Sequence, residues 1–263
     1  MEDLDTPRVV AGADRDILDA LRRYGLTWDG EVVYQSQRIS HYEEALRSLR
    51  AAGLVFDCGC SRADLQRAAS APAASDPAER IYPGTCRNGL PDGRVPRAVR
   101  FRAPDALIRF DDLVLGSIQE NVAAETGDFV IKRADGVFAY QLAVVVDDAL
   151  QGVTQVVRGS DLVSSTARQI SLQRALGYGT PDYAHLPLVV NSEGLKMGKR
   201  ESALPLPSLD HGRIVETLAA ALRVLGLNNI EPRDPEEMLR EAVGRFDRRN
   251  VPRDSVAYQM SQR

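Results

Sequence analysis

FAYQLAVVVDDALQGVTQVVRGSDL, residues 138–162, decides the fold class. AVVVDD is a continuous apolar run that ends in two carboxylates, Asp147 and Asp148. Such a run predicts a strand buried on both faces of a parallel sheet, with function at its C-terminal end. VTQVVRG (153–159) predicts a second buried strand. Ser160 then caps a helix, with Val163, Ala167 and Ile170 on one face and Gly177 as its stop. LPLVVN (186–191) follows as a further strand. Upstream, Asp135-Gly136 lies between two apolar runs, a hairpin signal because glycine allows the positive φ of a tight turn. Tyr140 sits on the returning arm, near the same strand ends. The pattern predicts an α/β architecture with a helical C-terminal piece.

Away from this stretch the helical signals are clear. Ile17, Leu18, Leu21 and Tyr24 fall at helical spacing over 13–24, with Gly25 as the cap. Ser40 and Glu43 have the spacing of a capping box, ahead of a stripe of Tyr42, Ala45, Leu46 and Leu49 that ends at Gly53. LVFDCGC (54–60), AVRFR (98–102) and DLVLG (112–116) predict extended segments. ASAPAASDPAE (69–79) has no apolar period and predicts a mobile loop. Past Pro207 the pattern is purely helical. Ile214, Leu218, Leu222 and Leu225 form one stripe, and Asp234-Pro235-Glu236-Glu237 supplies N-cap, N1 proline and N3 glutamate for a last helix.

With 263 residues, 44% hydrophobic and 27% charged, the chain has ordinary globular composition. No run approaches the ~18 apolar residues of a membrane span, and the acidic, polar start is unlike a secretory signal; a cytoplasmic protein is expected. The net charge of −4 argues against nonspecific coating of nucleic acid. Arg245, Arg248, Arg249 and Arg253 stand against Asp247 in RFDRRNVPR, which is most simply a solvated helix end.

Three groups could carry chemistry. Cys58, Cys60 and Cys86 are the only cysteines. They form C-x-C and, with Tyr82, a later Y-x-x-x-C. Thiolates suit Zn²⁺, which takes four donors, so Tyr82 or a water would complete the set; three ordinary reduced cysteines remain the alternative. Lys196, Lys199 and Arg200 in KMGKR could stabilise nucleotide phosphates or form a solvated basic loop. Arg158, at the end of its strand, could clamp a carboxylate through its planar fork, or pair with Asp147 or Asp148. Tyr140 is either a core tyrosine or a neighbour of that clamp.

Taken in order, several motifs resemble one family. They are E-D-x-D-x-x-R (2–8), Y-G-L-x-W-D-G (24–30), QSQR (35–38), FAYQLAVVVDD, GVTQVVRGSDL, RQISL (168–172), PDYAHLPL (181–188) and the KMSK-like KMGK (196–199). The chain resembles the glutamyl-queuosine tRNA(Asp) synthetases, short relatives of bacterial glutamyl-tRNA synthetases. The resemblance implies a class I aminoacyl-tRNA synthetase with a Rossmann-type catalytic domain over 1–206, a zinc-binding insertion over about 54–127, and a helical region over 207–263. It implies zinc on Cys58, Cys60, Tyr82 and Cys86, and a glutamate pocket of Glu2, Tyr140 and Arg158. ATP with magnesium would meet Lys196 and Lys199, Lys199 being the catalytic lysine. The partners implied are L-glutamate, ATP and tRNA(Asp) carrying queuosine, with no membrane, for a monomer. Two departures stand out. Gly198 replaces the usual serine, adding mobility and removing a hydroxyl. The family's first strand, HIGH-like loop and first helix precede the equivalent of Met1, so about 40 further residues are expected to be encoded upstream, and activity is expected to need them. The alternatives are a fragment of an ordinary glutamyl-tRNA synthetase and a non-catalytic remnant that binds tRNA or a protein partner.

Overall fold

A computed structural model describes residues 1–61, 63–65, 81–197 and 210–257. The 69–79 loop, Gly198, Lys199 and Arg200 lie outside the described residues. Helices α1 (Ala13–Arg23) and α2 (Ile39–Ala51) open the chain. Strands β1 (Val55–Cys58), β2 (Ala98–Phe101), β3 (Leu107–Asp112) and β4 (Gly116–Asn121) follow. Then come α3 (Val122–Glu125), β5 (Phe129–Lys132), α4 (Tyr140–Leu150), β6 (Gln155–Gly159), α5 (Val163–Leu176), β7 (Asp182–Leu186) and β8 (Val189–Val190). Helices α6 (His211–Val224) and α7 (Pro235–Arg245) precede β9 (Val256–Ala257).

The larger sheet has the order β4-β3-β7-β6. β6 and β7 run parallel and are joined through α5, a strand–helix–strand crossover, while β4 folds back antiparallel on β3. A second, antiparallel sheet has the order β1-β2-β5. Both sheets contribute to one core with α2, α4 and α5, where Leu49, Ile131, Leu142, Ile170 and Leu172 are fully buried. The α/β class expected from the sequence is therefore present.

AVVVDD, however, is not a strand: it lies inside α4. Leu142, Ala143, Val145 and Val146 are buried at i, i+1, i+3 and i+4, a helical stripe that packs against α2 and α5. A run apolar on all sides serves a buried helix as well as a buried strand, and strand propensity spans only ~1 kcal/mol. The Asp135-Gly136 turn does form. Gly136 has φ +85° and Arg133 N–H donates to Val137 O at 2.8 Å. Its returning arm stops at Phe138, and Tyr140 is the first residue of α4 instead of a hairpin residue.

Other expectations are corrected too. β6 is a strand but not a buried one: among the described residues it pairs only with β7, and Val157 is 55% exposed. LPLVVN splits at Pro187 into β7 and β8, since proline cannot continue a ladder. DLVLG is the tight turn between β3 and β4. Asp112 Oδ1 accepts the Val114 and Leu115 N–H groups there at 3.0 and 2.8 Å. The Ser40–Glu43 box is absent because α2 starts earlier, at Ile39, and Glu43 instead meets Lys132 Nζ at 2.6 Å. Ser160 starts a 3₁₀ turn ahead of α5. Ile17 of α1 is 51% exposed. The C-terminal part is not purely helical: Val189 and Val190 of β8 pair in parallel with Val256 and Ala257 of β9. The Asp234 cap is as expected, its side chain accepting from Glu236 and Glu237 N–H.

Asp147 explains how α4 is fixed. Its buried carboxylate accepts Gln35 Nε2 at 3.0 Å, Arg38 Nε at 2.6 Å and the Tyr42 hydroxyl at 2.8 Å. Burial and the adjacent carboxylate raise the Tyr42 pKa, so the phenol stays a donor. Tyr42→Phe removes one hydrogen bond to a charged acceptor and little else. It is expected to lower the unfolding free energy by about 1.5–3 kcal/mol in urea denaturation.

Candidate active site

The sheet brings Arg158 to the C-terminal end of β6, in register with His185 of β7. Gly159 holds the chain close at that point: a Cβ there would lie 2.6 Å from Asp161 Oδ1. Every N–H of the Arg158 guanidinium finds an acceptor. Nε donates to His185 Nε2 at 3.1 Å. Nη1 donates to Gln169 Oε1 at 2.8 Å and, at longer range, to the Tyr140 hydroxyl at 3.4 Å. Nη2 donates to Thr166 Oγ1 at 2.8 Å and Leu162 O at 3.3 Å. The Tyr183 ring lies under the guanidinium, 5.3 Å from its centre.

All five partners are neutral. Asp147, one of the two carboxylates the sequence offered Arg158, is taken up by Gln35, Arg38 and Tyr42. Asp148 touches Arg158 only through its field. A half-buried cation surrounded by dipoles keeps its charge available to an anion, and Tyr140 stands beside it with a hydroxyl. Glu2 is exposed and forms no hydrogen bond or ion pair among the described residues; its charge reaches Asp148. Lys196 pairs with Asp161, three residues beyond Arg158. Lys199 lies outside the described residues. Tyr140, Arg158 and Lys196 thus converge on one strand end.

Asp148 is electrostatically strained there. Burial raises its pKa to about 6; the Arg158 charge opposes the rise, and Asp147 and Glu2 add to it. A carboxyl raised in the fold contributes stability below its unfolded pKa of about 3.9, and that contribution is lost as pH rises through about 6. Asp148→Asn removes this loss. The variant is expected to gain stability over the parent at pH 8 and to match it at pH 3.5, measured as urea midpoints.

A second cluster lies on the smaller sheet. The Sγ atoms of Cys58, Cys60 and Cys86 lie within 4.8 Å of one another, and Cys60 and Cys86 are 3.7 Å apart. The Tyr82 hydroxyl is 3.5 Å from Cys58 Sγ and 3.7 Å from Cys60 Sγ. A tetrahedral ion with thiolates at about 2.3 Å and an oxygen at about 2.0 Å sets S–S edges of roughly 3.8 Å and S–O edges of roughly 3.5 Å. The Cys60–Cys86, Tyr82–Cys58 and Tyr82–Cys60 separations match those edges. Burial works to raise the Cys58 thiol, but hydrogen bonds from Tyr82 and the Cys60 backbone, and the hydrogen bond and charge of Arg100, hold it below the usual value. Arg100 is itself buried. It stacks 3.9 Å from the Tyr82 ring centre, and its Nε donates to Cys58 Sγ at 3.4 Å. No sequence signal marked Arg100, because its role depends on which strand lies beside β1.

His185, Asp112, Thr166 and Gln169 were likewise missed. His185 stands inside the quoted PDYAHLPL motif and Gln169 inside RQISL, the hints available.

The family described as "tRNA synthetases class I (E and Q), catalytic domain" matches residues 1–245. A glutamyl-Q tRNA(Asp) synthetase of Geobacter sulfurreducens is 51% identical over 269 aligned residues, spanning 99% of this chain and 84% of that protein. The protein of the same name from Aromatoleum aromaticum is 53% identical over 228 residues, 87% of this chain and 70% of its own length. In structure, a glutamate tRNA ligase of Elizabethkingia meningosepticum, solved in complex with its amino acid, superposes with a TM-score of 0.75 at 22% identity. That match spans 98% of this chain and 59% of the ligase. Identity near one half over nearly the whole chain, on the fold of a class I catalytic domain, places this chain in the glutamyl-Q tRNA(Asp) synthetase family, ligases of the aminoacyl-tRNA synthetase class.

Proposed function

We infer that the protein activates glutamate with ATP and transfers it to the queuosine base in the anticodon of tRNA(Asp). The observation that carries this is Arg158, a half-buried guanidinium with only neutral partners, beside the Tyr140 hydroxyl. Arg158, giving up its long 3.4 Å contact to Tyr140, takes the side-chain carboxylate of glutamate together with the Tyr140 hydroxyl, and Glu2 takes its α-ammonium. The α-carboxylate attacks the α-phosphate of ATP, giving glutamyl-adenylate and releasing pyrophosphate. The glutamyl group then leaves AMP for the base. ATP is bound with magnesium, and Lys196 and Lys199 meet its phosphates; Lys196 must exchange Asp161 for them. The work of the protein is positioning and charge stabilisation. The Rossmann-type catalytic part spans 1–206 with an insertion over about 54–127, the C-terminal region of two helices and β9 spans 207–263, and the enzyme works as a cytoplasmic monomer.

The test has two arms. Glutamate-dependent exchange of labelled pyrophosphate into ATP reports the first step. Nuclease mapping of labelled glutamate on tRNA(Asp) reports the second. Label at the 3′ end in place of the anticodon would identify an ordinary glutamyl-tRNA synthetase, and no exchange by a chain that carries the expected upstream residues would identify a binding protein.

The residues Cys58, Cys60, Tyr82 and Cys86 would hold one zinc ion. A closed four-donor site leaves no position for substrate, so the ion would brace the insertion. Arg100 offsets the negative charge of its thiolates. Elemental analysis of fresh protein is expected to find one zinc per chain. Three thiols that all titrate freely, with no metal, would overturn this.

A further inference from the structure

We propose that Asp112 and His185 are a positioning pair that fixes the Arg158 guanidinium, and through it the preference for glutamate over glutamine. The proposal rests on the reading of Arg158 as the glutamate-carboxylate residue. Its basis is a chain of hydrogen bonds whose directions are forced. Asp112 Oδ1 accepts three backbone N–H groups, of Val114 at 3.0 Å, Leu115 at 2.8 Å and His185 at 3.2 Å. Its Oδ2 is left for His185 Nδ1, at 2.6 Å, and both side chains are wholly buried. A carboxylate only accepts, so the ring proton sits on Nδ1. Nε2 then presents a lone pair, and Arg158 Nε–H donates to it at 3.1 Å, with the Thr166 hydroxyl a second neighbour at 3.3 Å. Burial lowers the pKa of His185, which keeps the ring neutral. A neutral acceptor fixes the orientation of the fork without neutralising it, which a carboxylate in the same place would do.

Asp112→Asn tests the direction of the chain. Three backbone donors hold the amide oxygen in the place of Oδ1, so the amide NH₂ must face His185 Nδ1. The ring proton moves to Nε2, where Thr166 Oγ1 at 3.3 Å can accept it, and the Arg158 Nε–H loses its acceptor. The KM for glutamate is expected to rise by roughly 10–100-fold, as for a lost hydrogen bond to a charged group. The KM for ATP should stay within about twofold, and the glutamate-to-glutamine preference should fall by about tenfold or more. Nitrogen-15 NMR of the histidine side chains should show the proton moved to Nε2.

A paired substitution covers the case in which Asp112→Asn does not fold. In His185→Asn the amide overlays Nδ1, keeping Asp112 and losing Arg158. In His185→Gln the amide overlays Nε2, keeping the acceptor for Arg158. His185→Gln should retain more of the preference than His185→Asn; equal losses would mean that the pair only stabilises the fold and would overturn the proposal. Arg158→Ala is measured alongside. If it abolishes the preference while Asp112→Asn and His185→Asn leave it intact, the positioning pair is wrong and the pocket stands. If Arg158→Ala itself leaves the preference intact, the pocket is wrong.

Discussion

Replacing Arg158 with alanine should lower glutamate-dependent pyrophosphate exchange by roughly 10²–10³-fold in kcat/KM, corresponding to about 3–4 kcal/mol. The expectation follows from the charge balance of the site. A substrate carboxylate entering beside Tyr140 exchanges water for a cation that no protein anion has claimed. Without that cation the carboxylate would be desolvated with nothing to offset it. Glutamine carries an amide in the same place and loses less, so the ratio of the two activities should shrink. Lysine at 158 should recover only part of the loss. Its ammonium is a point charge with three donors, where five acceptors now surround a planar fork. Exchange measured with each amino acid decides the matter. A variant with unchanged glutamate rate and unchanged preference would mean that Arg158 only ties β6 to α5.

Lys199→Ala should lower kcat for adenylate formation by roughly 10²-fold or more and leave the KM for glutamate nearly unchanged. Lys199 is beyond the described residues, but the root of its loop is well defined. Asn191 N–H donates to Leu195 O at 2.8 Å, Asn191 Oδ1 accepts Glu193 and Leu195 N–H, and Met197 N–H returns to Val189 O at 3.0 Å. That turn delivers Lys196 to Asp161, beside the strand end of Arg158. The family resemblance makes Lys199 the lysine that meets the phosphates as charge develops on them. Such a contact acts mainly in the transition state, so it appears in kcat. Single-turnover rates at saturating ATP are the measurement. Equal losses in ground-state binding and in rate would make the lysine structural.

Much of the fold was legible because its signals are local. The α2 stripe, the Asp234 cap and the Gly177 stop each lie within one or two turns of chain. The failures were of another kind. Leu142 to Val146 are buried on several sides, so hydrophobicity carried no period and β-branching tipped the reading toward a strand; contact with α2 and α5 decided for a helix. β6 looked buried from composition, yet its burial depends on neighbours that its own residues do not encode. The site divides the same way. Cysteine spacing and the strand-end arginine were visible. Asp112 was not, because it sits in a turn and meets His185 only where β3 and β7 lie side by side. Arg100 was hidden for the same reason, on β2 beside β1.

The parallel pairing of β8 with β9 bears on how the molecule folds. Val189 and Val190 must find Val256 and Ala257 across both C-terminal helices, a long loop to close for two residue pairs. The entropy of closure grows with loop length, while so short a ladder returns little. The contact should therefore form late, after α6 and α7 have docked, and open often by local fluctuation. Amide hydrogen exchange at Val256 should be fast compared with the interior of α5. Because Met197 hangs from the same strand, each such opening would also loosen the turn that holds Lys196.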